Sequence, residues 1–410
     1  MPPTRPQRLG PRPLPLHLAT AVTTWLSSAA ALPSLSFASA ASKLPSPWGR
    51  AASAVAQQLA GAFAGHPPKA VEQAVGREVR RRLDALVTGI TKYRRHSYRR
   101  ELADPPAVWA EGASRLLDYG GDAGRPLLVI PSLVNRSYVL DLTPARSLLR
   151  HLAGPFRPFL IDWGRPGEGE RALDLTGYVA GRTAAALDQV RALTGRSPVV
   201  VGYCMGGLLA AALAVLRPAD VAGLVLLATP WDFHADRPEL AKALARGAAL
   251  WMPLVDQLGE LPVDGLQTLF FGLDPFQVIR KFCAFAALSD DDERAREFVA
   301  LEDWLNDGVP LVPRVARECI VGWYGDNLPG RERWTIAGTA IVPTAIRTPS
   351  LVVVPAQDRI VPPASAAALA RAIPNAGQLT PPLGHIGMVV GARARAQLWE
   401  PLGEWLGARF

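Results

Sequence analysis

Cysteine is scarce: three residues in 410, at 204, 283 and 319, an odd number that shares no metal-ligand spacing. A disulfide scaffold and a zinc site both fit that pattern poorly, and a reducing, cytoplasmic compartment is the default expectation. Histidine is nearly as rare, with six residues, so chemistry that needs an imidazole has few candidates. No apolar run is long and unbroken enough to read as a membrane span. No internal repeat stands out. The 38 prolines and 36 glycines follow no collagen-like period, which excludes a fibrous reading. Acidic residues are missing where basic ones crowd: residues 1–100 hold fifteen Lys and Arg against only Glu72, Glu78 and Asp84.

What is present is an ample apolar fraction, 49%, which rules out wholesale disorder and allows one large or two modest domains. The net charge of +8 is unevenly placed, with +12 in the first hundred residues and −4 in the remaining 310. A basic segment on a near-neutral body fits an anionic surface or partner, and fits a solvated helix face equally well.

Arg5, Arg8 and Arg12 precede a mixed apolar run over 14–35, followed by Ala38-Ser39-Ala40, the outline of an export signal. Pro15, His17 and Pro33 interrupt that run, so residues 1–50 read instead as a flexible Pro/Ala/Ser-rich tail. Residues 51–105 read as a basic helical extension, because Val71, Ala74, Val75, Val79, Leu83 and Leu86 recur mostly at spacings of three and four. Its apolar face would suit a lipid-coated or polymer surface, or the body of the protein itself. No nucleic-acid recognition motif accompanies the charge, so no specific nucleic-acid partner is expected.

From residue 106 the pattern changes. Short apolar runs at 127–131, 159–163, 199–203 and 221–229 alternate with helical patterns at 144–152, 180–193 and 208–216. Such alternation predicts a parallel sheet wrapped by helices. The rhythm stops over 231–345, a segment rich in Trp and Phe, and resumes with a strand at 350–355 and helices at 364–372 and 392–406. The expected fold is therefore α/β, an α/β-hydrolase sheet over 106–230 and 346–410 interrupted by a helical, aromatic-rich cap at 231–345.

Gly202-Tyr203-Cys204-Met205-Gly206 follows a valine-rich strand and opens a helix. Gly-x-Cys-x-Gly is the nucleophile-elbow pattern with cysteine in place of serine, and the tight turn needs small residues such as Gly202 and Gly206 two positions either side. The thiol then sits at a helix N-terminus, where backbone N–H groups favour a thiolate. The competing reading is a buried structural cysteine in a glycine-rich turn. Of the histidines, only His385, in Gly384-His385-Ile386-Gly387, follows the last strand and precedes the final helix, where this fold carries its base. Asp358 follows the strand at 350–355, giving the chain order Cys204, Asp358, His385 expected of the fold. Alternatively, Asp358 caps the next helix or pairs with Arg359.

The sequence resembles polyhydroxyalkanoate (PHA) synthases, especially the short, two-subunit type. Gly202-Tyr203-Cys204-Met205-Gly206-Gly207 is similar to their modified lipase box, and Asn135-Arg136-Ser137-Tyr138-Val139-Leu140-Asp141-Leu142 to their Asn-Lys-x-Tyr-x-Leu-Asp-Leu segment. Asp162-Trp163-Gly164-Arg165-Pro166, the Asp358 and His385 motifs and Leu301-Glu302-Asp303-Trp304-Leu305 also have counterparts there, so the likeness spans roughly residues 90–406. It implies an acyltransferase that polymerises (R)-3-hydroxyacyl-CoA through a Cys204 thioester, with His385 as base and Asp358 orienting it. The Met205 N–H and one from the loop near Leu133 or Val134 would hold the oxyanion. The resemblance further implies a growing polyester chain or granule surface as partner, a second synthase subunit, a homodimer, and neither cofactor nor metal, CoA thioester being a substrate. Two other readings stay open: a cysteine hydrolase (depolymerase or acyl-CoA thioesterase) and a non-catalytic granule-surface protein.

Overall fold

Valine and leucine runs bounded by proline or glycine form the strands at the centre of the sheet. The computed structural model describes residues 8–30, 58, 61–63, 65–120 and 124–410. The Ala38-Ser39-Ala40 triplet lies outside the described residues. The strands are β1 (Ala107–Glu111), β2 (Ser114–Asp118), β3 (Arg125–Ile130), β4 (Phe156–Asp162), β5 (Val199–Tyr203), β6 (Gly223–Leu227), β7 (Ser350–Val353) and β8 (Gly377–Leu379). They make one eight-stranded sheet in the order β1-β2-β4-β3-β5-β6-β7-β8. From β3 to β8 neighbours pair in parallel, whereas β2 is antiparallel to both β1 and β4.

Every residue of β5, β6 and β7 is buried. That explains their continuous apolar character, because helices cover both faces of a parallel sheet. Each such aliphatic side chain stabilises the fold by about 1.5–3 kcal/mol on burial. Val201 lies opposite Val129 of β3 and Val225 of β6, and Tyr203 lies opposite Leu227, so the end of β5 is held from both sides.

The chain divides into two units. The larger comprises residues 99–273 and 303–410 and holds the whole sheet. Between β6 and β7 it carries the helices Pro238–Ala249, Met252–Leu258, Val263–Phe271 and Pro313–Arg317, the last running on into a wide π-type helix, Glu318–Gly325. Met252, Val255, Leu261, Leu266, Val312, Val315, Trp323 and Trp334 from this insertion join the buried core of the unit.

The smaller unit comprises residues 1–98 and 274–302. Its helices Leu14–Ala30, Pro68–Arg95 and Gln277–Ala286 enclose Ala21, Leu86, Ile90, Tyr93, Ile279, Phe282 and Phe285. Gly89 lets helices Pro68–Arg95 and Gln277–Ala286 touch, since a Cβ there would run into the Phe282 carbonyl. Phe285 stacks on Phe298 with ring centroids 4.2 Å apart.

Two expectations need correction. Residues 14–30 are not a flexible tail but a 17-residue helix with His17 and Ala21 buried; Pro15 falls in its first turn, where a missing N–H costs nothing. Nor do 231–345 and 51–105 form separate cap and extension blocks. The apolar face of helix Gln277–Ala286 packs on helix Pro68–Arg95, drawing 274–302 out of the expected cap. Of the apolar face which the sequence offered to a lipid or polymer surface, that contact takes in Leu86; Val79 is also buried, Val71, Val75 and Leu83 are half-buried and Ala74 is exposed, while Arg77, Arg80, Arg81 and Arg82 face outward. Among the described residues, no helix is long and apolar enough to cross a membrane.

Candidate active site

The turn from β5 into helix Met205–Leu216 is tight enough to strain its central residue. Cys204 has φ 55° and ψ −126°, a left-handed backbone that non-glycine residues rarely adopt. The glycines around it make the turn sterically feasible. A Cβ on Gly202 would sit 2.8 Å from the Ala210 Cβ and 2.7 Å from the Gly206 carbonyl oxygen. One on Gly206 would strike the Ile130 and Pro131 carbonyls, and one on Gly207 the Thr229 side chain. The Cys204 N–H donates to the Leu227 carbonyl at 2.9 Å, so β6 fixes the turn from its far side. The thiol is half-buried at the N-terminus of the helix, and Met205 occupies the first helical position with its N–H at the open end.

Asp358 and His385 come from the loops after β7 and β8. The Asp358 Oδ1 accepts the backbone N–H groups of Ile360 at 2.8 Å and Val361 at 2.9 Å, which fixes the carboxylate in its loop. Its Oδ2 lies 2.7 Å from the His385 Nδ1, and both side chains are buried. This leaves Nε2 as the ring nitrogen available to the Cys204 sulfur, whose charge acts on the imidazole. Burial alone would push the imidazole down. The Cys204 charge and the hydrogen bond to Asp358 outweigh it and raise His385 to about 10. The imidazolium is thus the stabilised form when the sulfur carries charge.

The remaining histidines and cysteines have other surroundings. The His151 ring packs against Trp399, and the His234 Nε2 hydrogen-bonds the Tyr324 carbonyl at 2.9 Å. Burial pushes the thiols of Cys283 and Cys319 upward, away from a reactive thiolate.

In the loop after β3, the Val134 N–H donates to the Ser132 hydroxyl oxygen at 3.2 Å. Of the two residues expected near an oxyanion, Leu133 is thereby the one with its N–H left to offer. The loop is clamped on both sides: Trp163 Nε1 donates to the Pro131 carbonyl at 3.0 Å, and the Val309 N–H to the Val134 carbonyl at 2.9 Å.

Sequence reasoning passed over Tyr203, the variable position of the elbow pattern. Its side chain is buried, its hydroxyl donates to the His385 carbonyl at 3.3 Å, and its ring lies 5.2 Å from the imidazole. It expected an aromatic-rich segment with Trp323 in it, but not the cluster that Trp323 forms with Trp231, Phe233, Tyr324 and Trp334, in which Phe233 stacks on Trp323 at 5.8 Å and meets Tyr324 edge-on at 4.9 Å. The signal for it was the aromatic enrichment after residue 230.

Comparison with known proteins gives the family. A family model described as "alpha/beta hydrolase fold" matches residues 125–392. The poly(3-hydroxyalkanoate) polymerase subunit PhaC of Allochromatium vinosum is 30% identical over 314 residues, covering 74% of this chain and 88% of that protein. The subunit of the same name from Thiocystis violacea is 29% identical over 313 residues, with the same coverage of each chain. Among solved structures, a thermophilic esterase from Thermogutta terrifontis shares 21% identity at a TM-score of 0.46, over 75% of this chain and 98% of its own. The matched span runs from β3 through the His385 loop, and with the PhaC relatives it places the chain in the α/β-hydrolase superfamily, as a member of the PHA polymerase family.

Proposed function

We propose that the protein is an acyltransferase that polymerises (R)-3-hydroxyacyl groups from their CoA thioesters, with Cys204 as nucleophile. The observation that carries this reading is the 2.7 Å bond between His385 Nδ1 and Asp358 Oδ2, with the ring's other side turned to the Cys204 sulfur, in a chain of this family. His385 Nε2 takes the thiol proton, and the thiolate attacks the thioester carbonyl carbon. The developing oxyanion is held by the Met205 N–H and the Leu133 N–H. Collapse breaks the carbon–sulfur bond to CoA, which leaves with the proton from His385, and the acyl group stays on Cys204. A 3-hydroxyl group then attacks this thioester, with His385 as base, forming the ester link and freeing the thiol. Asp358 holds the ring in the tautomer and orientation that both steps need. Transfer from one thioester to another is nearly neutral in energy, which suits a cysteine.

The test is incubation with (R)-3-hydroxybutyryl-CoA, following CoA release and separating polymer from free acid. Polymer formed by the natural protein, and no CoA release by Cys204→Ala, is the expected result. Free acid as the sole product replaces the polymerase reading with a hydrolase; undiminished release by Cys204→Ala removes the nucleophile.

A further inference from the structure

The residue directly before the nucleophile reaches across to the base. Tyr203 ends β5, and its side chain is 3% exposed. Its hydroxyl donates to the backbone carbonyl of His385 at 3.3 Å. The ring stands against the imidazole with centroids 5.2 Å apart and planes inclined by 32°.

The loop explains why such a bond matters. Around His385 the neighbouring carbonyls are taken by the short helix that follows: Gly384 accepts from Met388 at 2.9 Å, and Ile386 from Val389 at 3.0 Å and Val390 at 3.1 Å. The His385 carbonyl between them receives the Tyr203 hydroxyl instead. The backbone of the base is therefore tied to the strand that carries the nucleophile, while its side chain is tied to Asp358. A ring face at this distance also attracts a cation, so the aromatic surface favours the imidazolium over the neutral ring.

We infer that Tyr203 is a positioning residue for His385: its hydroxyl fixes the loop that carries the base, and its ring orients and stabilises the imidazolium opposite Cys204. The inference rests on the part of the proposed function that pairs Cys204 with His385, and not on the identity of the acyl substrate. Burial, then the charges of Cys204 and Asp358, hold the Tyr203 phenol well above its ordinary range, so it remains a hydrogen-bond donor throughout the working pH range.

The experiment reads Cys204 directly. Iodoacetamide labelling of the full-length protein near pH 7, quantified on the Cys204 peptide by mass spectrometry, needs no acyl substrate. Tyr203→Phe keeps the ring and loses only the hydroxyl, so it folds with a Tm close to that of the natural protein. Its Cys204 labelling is expected to slow about three- to tenfold, and kcat for CoA release to fall by the same factor with KM unchanged. Tyr203→Leu removes the ring as well and is expected to slow labelling by a further factor of about three to ten. Natural labelling and kcat in a folded Tyr203→Phe protein overturn the hydroxyl's role. If Tyr203→Leu then labels no more slowly than Tyr203→Phe, the ring's role is overturned too. A protein that makes no polymer but shows the two labelling losses keeps the positioning role and removes the polymerase reading alone.

Discussion

The Trp304 indole N–H donates to the Arg136 carbonyl at 2.7 Å, joining the insertion between β6 and β7 to the loop that follows β3. Together with the Asn135–Gly308 bridge and the Val309–Val134 bond, it holds the stretch containing Leu133 from the side opposite the sheet. Trp304→Phe preserves the packing and loses the bond, which is expected to cost about 0.5–1.5 kcal/mol in urea unfolding. Because that loop carries the proposed oxyanion donor, CoA release should slow as well, by a severalfold factor. A full stability loss with unchanged turnover assigns Trp304 to the scaffold alone.

Cysteine identity is the sharpest test of the nucleophile. Cys204→Ala is expected to abolish CoA release, whereas Cys283→Ala and Cys319→Ala leave most of it. Cys204→Ser should fold and turn over far more slowly, because a hydroxyl near neutral pH is a poorer nucleophile than a thiolate. Comparing initial CoA-release rates of the four variants checks all of these at once.

The elbow tolerates no methyl group. Gly206→Ala drives a Cβ into the Ile130 and Pro131 carbonyls, which belong to backbone at the end of β3 and cannot swing aside. The expected destabilisation lies at the upper end of about 1–3 kcal/mol, with turnover lost through displacement of Cys204. Thermal unfolding of the variant measures the first effect, and Cys204 labelling the second.

His385 should leave a signature in the pH dependence of stability. Its folded value of about 10 lies above the ordinary histidine value near 6.5. The protonated ring therefore stabilises the fold fully below about pH 6.5, and this contribution declines as pH rises towards and through about 10. The difference in unfolding free energy between the natural protein and His385→Gln is expected to shrink across that window. A difference that stays constant from pH 6 to pH 10 contradicts the prediction.

Asp141 offers a test away from the chemistry. Its carboxylate is fully buried and accepts the Arg150 guanidinium at 2.8 and 3.0 Å, with Tyr119 at 3.2 Å and Arg100 at 3.4 Å. Asp141→Ala removes the shared acceptor of Tyr119 and of two partly exposed arginines, of which Arg100 keeps Asp104 at 3.2 Å, so a loss of about 1–3 kcal/mol is expected on denaturant unfolding.

The elbow was legible because its constraints are local: a β-branched strand, glycines at fixed offsets and an apolar helix lie within eighteen residues of one another. Asp358 and His385 were legible because each follows a strand signal in the order this fold requires. The partnership of helix Gln277–Ala286 with helix Pro68–Arg95 was not, since nothing in Phe282 or Phe285 names the distant face they cover. The helix at 14–30 was hidden by Pro15 and His17, which weaken the apolar period without opposing a helix. Tyr203 was overlooked for a different reason. A pattern with a variable position gives that residue no weight, and its contact with His385 exists only once β5 and the loop after β8 are brought together.

Placing the insertion between β6 and β7 also orders events during synthesis. The ribosome completes β5, the elbow and β6 long before it reaches Asp358 and His385. At roughly 5–20 residues per second, the stretch from Cys204 to His385 takes about ten to forty seconds to make. Throughout that interval the nascent chain carries the thiol without its base. On the roles proposed for Cys204 and His385, reactivity switches on late, when β7 has added alongside β6 and the final loop has brought the imidazole towards the sulfur, so an abandoned, shortened chain would carry an unarmed thiol.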